Sequence, residues 1–283
     1  VLEFSERFHD QVADPDEMPA IRDELWRATC NCAYWHGIFG GLYLPHLRDA
    51  LYRRLLSAEM QFAEATGDSG GWSKRDVDRD GTDEYVGRSD TVQAFWKPAL
   101  GGALAELDFL PTRFNLLNSL KRYEESYHAK VNQSQDMSDD ATNIHDVVAS
   151  KEKDLDKYLQ YDSHPRRSFL DHFLAESVTL DEVSRSDYDD AGDFVNSRWD
   201  VTDEKSDGVV MSRDGQVNGQ DVTLSKDVTL EGNTLTVTYS IQNQSDAALE
   251  TIFAPELNFS LLGGESDDRY YTIDDEKPSD ARM

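Results

Sequence analysis

Val228-Thr229-Leu230-Glu231-Gly232-Asn233-Thr234-Leu235-Thr236-Val237-Thr238-Tyr239-Ser240-Ile241 is the stretch whose reading decides the fold. Polar and apolar residues alternate from Thr234 to Ile241, the period of a half-buried strand, and Glu231-Gly232-Asn233 separates this run from Val228-Thr229-Leu230 as a hairpin turn. Val228-Thr229-Leu230 and the run from Thr234 are then antiparallel partners. Working outward, Val222-Thr223-Leu224, Thr251-Ile252-Phe253, Thr91-Val92-Gln93-Ala94-Phe95-Trp96 and Ala103-Leu104-Ala105-Glu106-Leu107 show the same strand character. Many short strands with polar turns predict a large antiparallel β-sandwich, beginning near Trp72.

Upstream the period changes. Ile21, Leu25, Ala28, Cys32 and Trp35 recur at three- and four-residue steps after Pro19, with Asp23 and Glu24 in the early turns, where the helix dipole favours anions. Gly37, Gly40 and Gly41 break the pattern. A second amphipathic helix carries Leu47, Leu51, Leu55, Ala58 and Phe62 on one face and ends near Gly67. Leu2, Phe4, Phe8 and Val12 have the spacing of a preceding helix's tail. A helical hairpin of this size needs a partner surface. The fold class is therefore α+β by segments: a helical subdomain over 1–68 and a β-sandwich over 72–283. Lys130 to Asp146 reads as a polar surface loop and Ser184 to Asp193 as a second acidic loop.

The 283 residues suffice for two modest domains, and 38% apolar with 10% aromatic residues allows a real core. The net charge of −28 is the outlying property. Such a field repels phosphate backbones and anionic membranes, which argues against nucleic-acid and membrane partners and is compatible with a neutral polysaccharide. The 56 acidic residues are spread along the whole chain, a pattern expected of adaptation to high salt, where screening removes self-repulsion; an ordinary acidic surface is the competing reading. Cys30 and Cys32 are the only cysteines, too few for a zinc site and too close for an internal disulfide. Reduced, buried thiols in a cytoplasmic protein are the expectation. Self-association into a homo-oligomer stays open.

Cys30-Asn31-Cys32-Ala33-Tyr34-Trp35-His36-Gly37 is the candidate site. A flat indole beside an imidazole can hold a sugar ring, the C–H face stacking and the hydroxyls finding a partner. The competing reading buries Trp35 in a helix–helix core, with His36 at a helix end. Asp76, Asp78, Asp80 and Gly81 reproduce the start of a calcium loop, but the twelfth position, Gly87, is not the glutamate of an EF-hand. Asp83 or Glu84 could close a different cage around a structural Ca²⁺; a solvated acidic loop is the alternative. His172 beside Asp171 and His128 beside Tyr127 are pairings common by chance. Glu106, Asp108 and Glu256 are expected to be salt-bridged, or exposed at strand ends.

The segment 30–37, with Phe39-Gly40-Gly41-Leu42-Tyr43-Leu44-Pro45-His46-Leu47-Arg48, closely resembles glycoside hydrolase family 57, nearest to its 4-α-glucanotransferases and related α-amylases. Asp76-Val77-Asp78-Arg79-Asp80-Gly81-Thr82-Asp83-Glu84, Gly101-Gly102-Ala103-Leu104-Ala105-Glu106-Leu107-Asp108, Arg167-Ser168-Phe169-Leu170-Asp171-His172-Phe173-Leu174 and Pro255-Glu256-Leu257-Asn258-Phe259-Ser260 match in the same order. The resemblance implies retaining cleavage of α-1,4-glucan, to another sugar or to water, and a sandwich like those of sugar mutarotases and α-mannosidases. It also implies that Trp35 and His36, with Tyr34 and Asn31 beside them, face the sugar cleft near its acceptor end. The family's nucleophile and acid/base lie on an N-terminal barrel to which nothing here corresponds. On that resemblance the chain reads as a C-terminal fragment, inactive alone and requiring no cofactor beyond the structural Ca²⁺ considered above. A free-standing starch- or glycogen-binding module and a purely structural domain are the alternatives.

Overall fold

The computed structural model describes residues 1–12, 14–131, 159–261, 270–272 and 274–277; most of the expected polar loop from Lys130 to Asp146 lies outside them. Three helices open the chain: α1 (Leu2–Gln11), α2 (Pro19–Ala28) and α3 (Pro45–Thr66). α2 and α3 each begin on a proline, which has no N–H to lose at a first helical position. α3 stops where Gly67 turns left-handed at φ 71°, its N–H returning to the Ala63 carbonyl. The helices enclose a core of their own. Phe4, Phe8 and Phe62 meet with ring centroids 5.7–6.4 Å apart, and Ile21, Leu25, Ala28, Leu55 and Ala58 close around them.

The helical face predicted to run through Cys32 and Trp35 ends instead at Ala28. The N–H groups of Thr29 and Cys30 bond three residues back, to Trp26 and Arg27, and the Thr29 hydroxyl donates to the Trp26 carbonyl at 2.7 Å. These tight bonds close the last turn, and Cys30 then departs at ψ 119°. Cys30 and Cys32 are consequently exposed, not buried as the sequence suggested.

β1 (Gly71–Arg75), β2 (Glu84–Arg88), β3 (Val92–Lys97), β4 (Ala103–Phe109) and β5 (Phe114–Asn115) form an antiparallel meander. β3 is buried throughout. Its Ala94 and Trp96 join the large core, while Gln93 donates to Glu59 on α3 at 3.0 Å, so the helices cover the other face. β6 (Leu170–Leu174) pairs with β11 (Ile252–Glu256). β7 (Asp200–Glu204), β8 (Gly208–Val217), β9 (Gln220–Glu231) and β10 (Thr234–Asn243) make an antiparallel four-stranded sheet in the order β10-β9-β8-β7. The predicted hairpin is its β9–β10 pair, with Thr234 opposite Glu231 and Gly232 at φ 59°. Trp96, Leu104, Phe173, Phe194, Trp199, Met211 and Leu224 fill the main core between the strands.

All of these elements belong to one compact unit, residues 1–119, 167–176 and 190–283; residues 120–166 and 177–189 form a second. In the second, Asp162 accepts from both Arg122 and Arg166, which, with the N–H of Arg122, hold its carboxyl down at about 2 against the opposing effect of burial. It contains the short helices α4 (His128–Val131) and α5 (Leu180–Arg185). α5 takes up the start of the segment read as an acidic loop: Thr179 and Glu182 cap it reciprocally.

Candidate functional site

The connection from α2 to α3 is a tightly hydrogen-bonded frame with aromatic side chains at its surface. A 3-10 turn over Asn31–Ala33 and another over Gly41–Tyr43 bracket Trp35. The Trp35 carbonyl accepts the Leu42 N–H at 3.0 Å. Only glycine fits position 41: its φ is 51°, and a Cβ there would sit 2.1 Å from the Trp35 carbonyl oxygen. The Tyr34 hydroxyl donates to the Ala28 carbonyl at 2.7 Å, tying the turn back to α2, and burial raises its pKa. Arg48 donates to the Leu42 carbonyl and reaches across to the side chain of Asn118 at 2.8 Å and its carbonyl at 3.1 Å.

On this frame Trp35 and Tyr34 are each 53% exposed and Phe39 is 89% exposed, with Ile38, His36 and Asn31 also at the surface. The reading that buried Trp35 in a helical core is overturned; the helix ends too early to carry it inward. The His36 ring stands edge-on to Tyr43, centroids 4.9 Å apart, and the Trp35 ring lies alongside Gly37. The four sequence candidates therefore share one turn. Phe39 and Ile38 escaped the sequence reading because nothing distinguishes an exposed aromatic from a core one in a segment without period.

The acidic loop forms a cage, and a lysine enters it. Asp76, Asp78 and Glu84 each place a carboxylate oxygen within 4.8 Å of the others. Lys97 on β3 donates to Asp78 at 2.5 Å and Asp80 at 2.6 Å, with Glu84 at 2.9 Å. Burial disfavours its charge, but the three carboxylates outweigh burial and raise its pKa. The Lys97 hydrogen bond, with help from Thr82, lowers Asp80 to about 2. Asp76 is used differently, accepting the N–H groups of Asp80 and Gly81 at 3.1 Å. The segment 84–88 is strand, not the helix of an EF-hand.

The remaining candidates are structural pins. His172 lies between Asp190 (2.8 Å) and Glu256 (2.9 Å); burial works against its charge, yet the two carboxylates lift it to about 9, so it is an imidazolium near neutrality and no free base. Its sequence neighbour Asp171 points away and pairs with Lys226 at 2.6 Å, both side chains 0% exposed. Lys226 also donates to the carbonyls of Gly101, Gly102 and Phe169, under the ring of Trp199. His128 accepts the Glu125 N–H and meets the Tyr161 hydroxyl.

Glu106 and Asp108 are neither salt-bridged nor exposed, against expectation. Two residues apart on β4, they face α3 together; Glu106 accepts from Tyr52 at 3.1 Å, and both Asp108 oxygens are buried, beside Glu106 and Gln93. Burial and then the Glu106 charge raise Asp108 far above the usual carboxyl range. Burial and the adjacent carboxyl together favour the protonated form there. This close carboxyl pair is sealed under a helix and cannot reach a substrate. No helix among the described residues is long and apolar enough to cross a membrane.

Comparison with known proteins bears on the whole chain. The family described as alpha-amylase/4-alpha-glucanotransferase, C-terminal, matches residues 76–282, and the corresponding middle domain matches residues 1–62. A 4-alpha-glucanotransferase from Thermococcus kodakarensis is 34% identical over 245 residues, covering 86% of this chain and 36% of that protein. Alpha-amylase 1 of Dictyoglomus thermophilum is 32% identical over 262 residues, 90% of this chain and 37% of its own length. The crystal structure of 4-alpha-glucanotransferase from Thermococcus litoralis superposes with a TM-score of 0.76 at 27% identity, over 92% of this chain and 38% of the other. The chain thus spans little more than a third of the length of each of these three proteins.

Proposed function

Since the chain belongs to the alpha-amylase/4-alpha-glucanotransferase family, we propose that it is the middle-to-C-terminal portion of an α-1,4-glucan-processing enzyme and supplies sugar contacts from the α2–α3 turn. The observation that carries this reading is the rigid turn with outward Trp35, Tyr34 and His36. A protein gains nothing in stability by exposing an indole there, whereas a glucosyl ring stacked on it gains apolar contact, with the imidazole and Asn31 in reach of hydroxyls. Reaction takes place at two carboxyls about 5–5.5 Å apart in a retaining enzyme of glycoside hydrolase family 57. The turn's part is to position the acceptor sugar, which converts binding energy into orientation.

The test is Trp35→Ala in the full-length enzyme. Loss of acceptor positioning raises the concentration of acceptor sugar required for transfer, with the cleavage step little changed; unaltered transfer kinetics contradict the assignment. The distributed acidity fits a cytoplasmic enzyme working at high salt. A melting temperature that rises from low to molar KCl supports that, and a flat response contradicts it.

A further inference from the structure

The four-stranded sheet treats its two edges differently. β7 is five residues long, reads Asp200-Val201-Thr202-Asp203-Glu204, and shifts register against β8 between Val201 and Asp203. Shortness, charge and an irregular register are the usual protections of a sheet edge against a further strand. In the meander, β1 ends in Lys74-Arg75 and β5 is two residues long. β10 has none of these protections. It runs ten residues in unbroken register with β9 and contains no proline and no charge. Residues 232–245 are fourteen in succession without Asp, Glu, Lys or Arg, in a chain that is 30% charged.

The hairpin fixes which groups β10 presents. Gly232-Asn233 is a two-residue turn, so Glu231 and Thr234 are a hydrogen-bonded pair. The N–H and C=O groups of Thr236, Thr238, Ser240 and Gln242 then also point to β9, and those of Leu235, Val237, Tyr239 and Ile241 point to the open edge. None of these last four makes a backbone hydrogen bond to another element among the described residues. Beyond them the edge closes, where the Asn243 side chain donates to the Ala247 carbonyl at 2.8 Å. The side chains are sorted too. Leu235, Val237 and Tyr239 pack against the main core, with Ile241 following at 44% exposed, whereas Thr234, Thr236, Thr238 and Ser240 are exposed on the other face.

We infer that β10 pairs antiparallel with β10 of a second copy of this chain, about a two-fold axis at Thr238. That register pairs all four open residues, and shifting it either way leaves one without its match. Leu235 then meets the partner's Ile241 and Val237 the partner's Tyr239 on the core face, while Thr236 meets the partner's Ser240 and Thr238 the partner's Thr238 on the other, so apolar meets apolar and hydroxyl meets hydroxyl. Charge argues for a second copy as the occupant. Two molecules of net charge −28 repel each other, and they can join only where neither brings a carboxylate against the other. An edge free of charge along its whole length meets that condition with its own copy. The contact is closed by its two-fold symmetry, and the guarded β7 edge adds no further strand, so assembly stops at a dimer.

Sedimentation equilibrium of the 283-residue chain, across a wide concentration range and at several KCl concentrations, tests this. A monomer–dimer equilibrium is expected, tightening as KCl screens the repulsion between copies. Thr238→Lys is solvated in the monomer but sets two ammonium groups opposite each other in the dimer, and weakens association about fivefold with the circular dichroism of the fold unaltered. An equimolar mixture of Thr238→Lys and Thr238→Glu chains associates more tightly than either alone. Ile241→Lys, at the exposed end of the edge, also weakens association, and serves if the Thr238 variants fold poorly. A monomer at every concentration, association unchanged in both folded lysine variants, a mixture no tighter than its components, or growth beyond a dimer overturns the proposal.

Discussion

Two connections of this chain carry conspicuous side chains, and they are built in opposite ways. The turn from residue 29 to 44 is fixed by backbone hydrogen bonds, glycine geometry, the Tyr34 hydroxyl and Arg48, leaving the Trp35 indole outside. The loop from residue 76 to 84 is fixed by its own conspicuous groups: Asp76 bonds its backbone, and Asp78, Asp80 and Glu84 close on Lys97. Side chains that hold a loop together are not available for a ligand, whereas side chains that the frame does not need are. By that criterion the turn is the better candidate for a binding surface, and the acidic loop is a fastening closed on Lys97. The fully buried Lys226–Asp171 pair is the extreme case of the second kind.

The largest effect should come from that extreme. Lys226→Ala leaves Asp171 charged or forcibly protonated in the core and strands three carbonyls; about 3–5 kcal/mol should be lost in urea unfolding. A loss within the ~0.5 kcal/mol typical of surface changes would mean that the pair is not sealed as described.

Next is Lys97→Met, which leaves Asp78, Asp80 and Glu84 without their cation. Asp78 and Asp80 are solvated, so we expect only about 1–2 kcal/mol. We propose that Ca²⁺ then binds Asp76, Asp78, Asp80 and Glu84 and restores the melting temperature, while the unaltered chain responds weakly. A strong calcium response of the unaltered chain would make the loop a metal site from the start.

The pH profile sharpens the contrast further. Asp108 has a folded pKa above its unfolded one, so its contribution is present at low pH and is lost as pH rises through the raised value. His172, at about 9, likewise gives stability that is complete below its unfolded pKa and gone above 9. Stability of the unaltered chain should therefore fall on the alkaline side. Asp108→Asn removes one of the two slopes, so its stability should fall less steeply. Identical slopes would place the proton elsewhere.

Much of the β9–β10 pairing was readable, because period-two residues and Gly232 state both the strands and their register. β8 could have been found too: Asn218 and Gly219, at φ 51° and 75°, make the tight turn into β9, and that Asn-Gly signal went unread. β1 and β2 offered less, being short and charged, and Gly70-Gly71 read only as helix terminators. The pins were invisible for another reason. Alternation along β9 puts Lys226 inward with Val222, Leu224 and Val228, but its partner is 55 residues away. Likewise, Glu106 and Asp108 share a face by period, yet only the packing of α3 decides that the face is dry. In the turn, the glycines were legible as breaks; that the helix stops at Ala28, turning Trp35 outward, depends on the short-range bonds of Thr29 and Cys30.

The smallest effect on stability is expected at the residue proposed to stack on the sugar. Trp35→Ala should shift the unfolding free energy by no more than about 0.5 kcal/mol, since the frame does not use the indole. Maltoheptaose titrated into the 283-residue chain, unaltered and Trp35→Ala, measures the central claim directly by calorimetry. The account predicts saturable binding that the substitution abolishes while the melting temperature holds. Equal binding by both chains, or a collapse of stability on losing the indole, would contradict it.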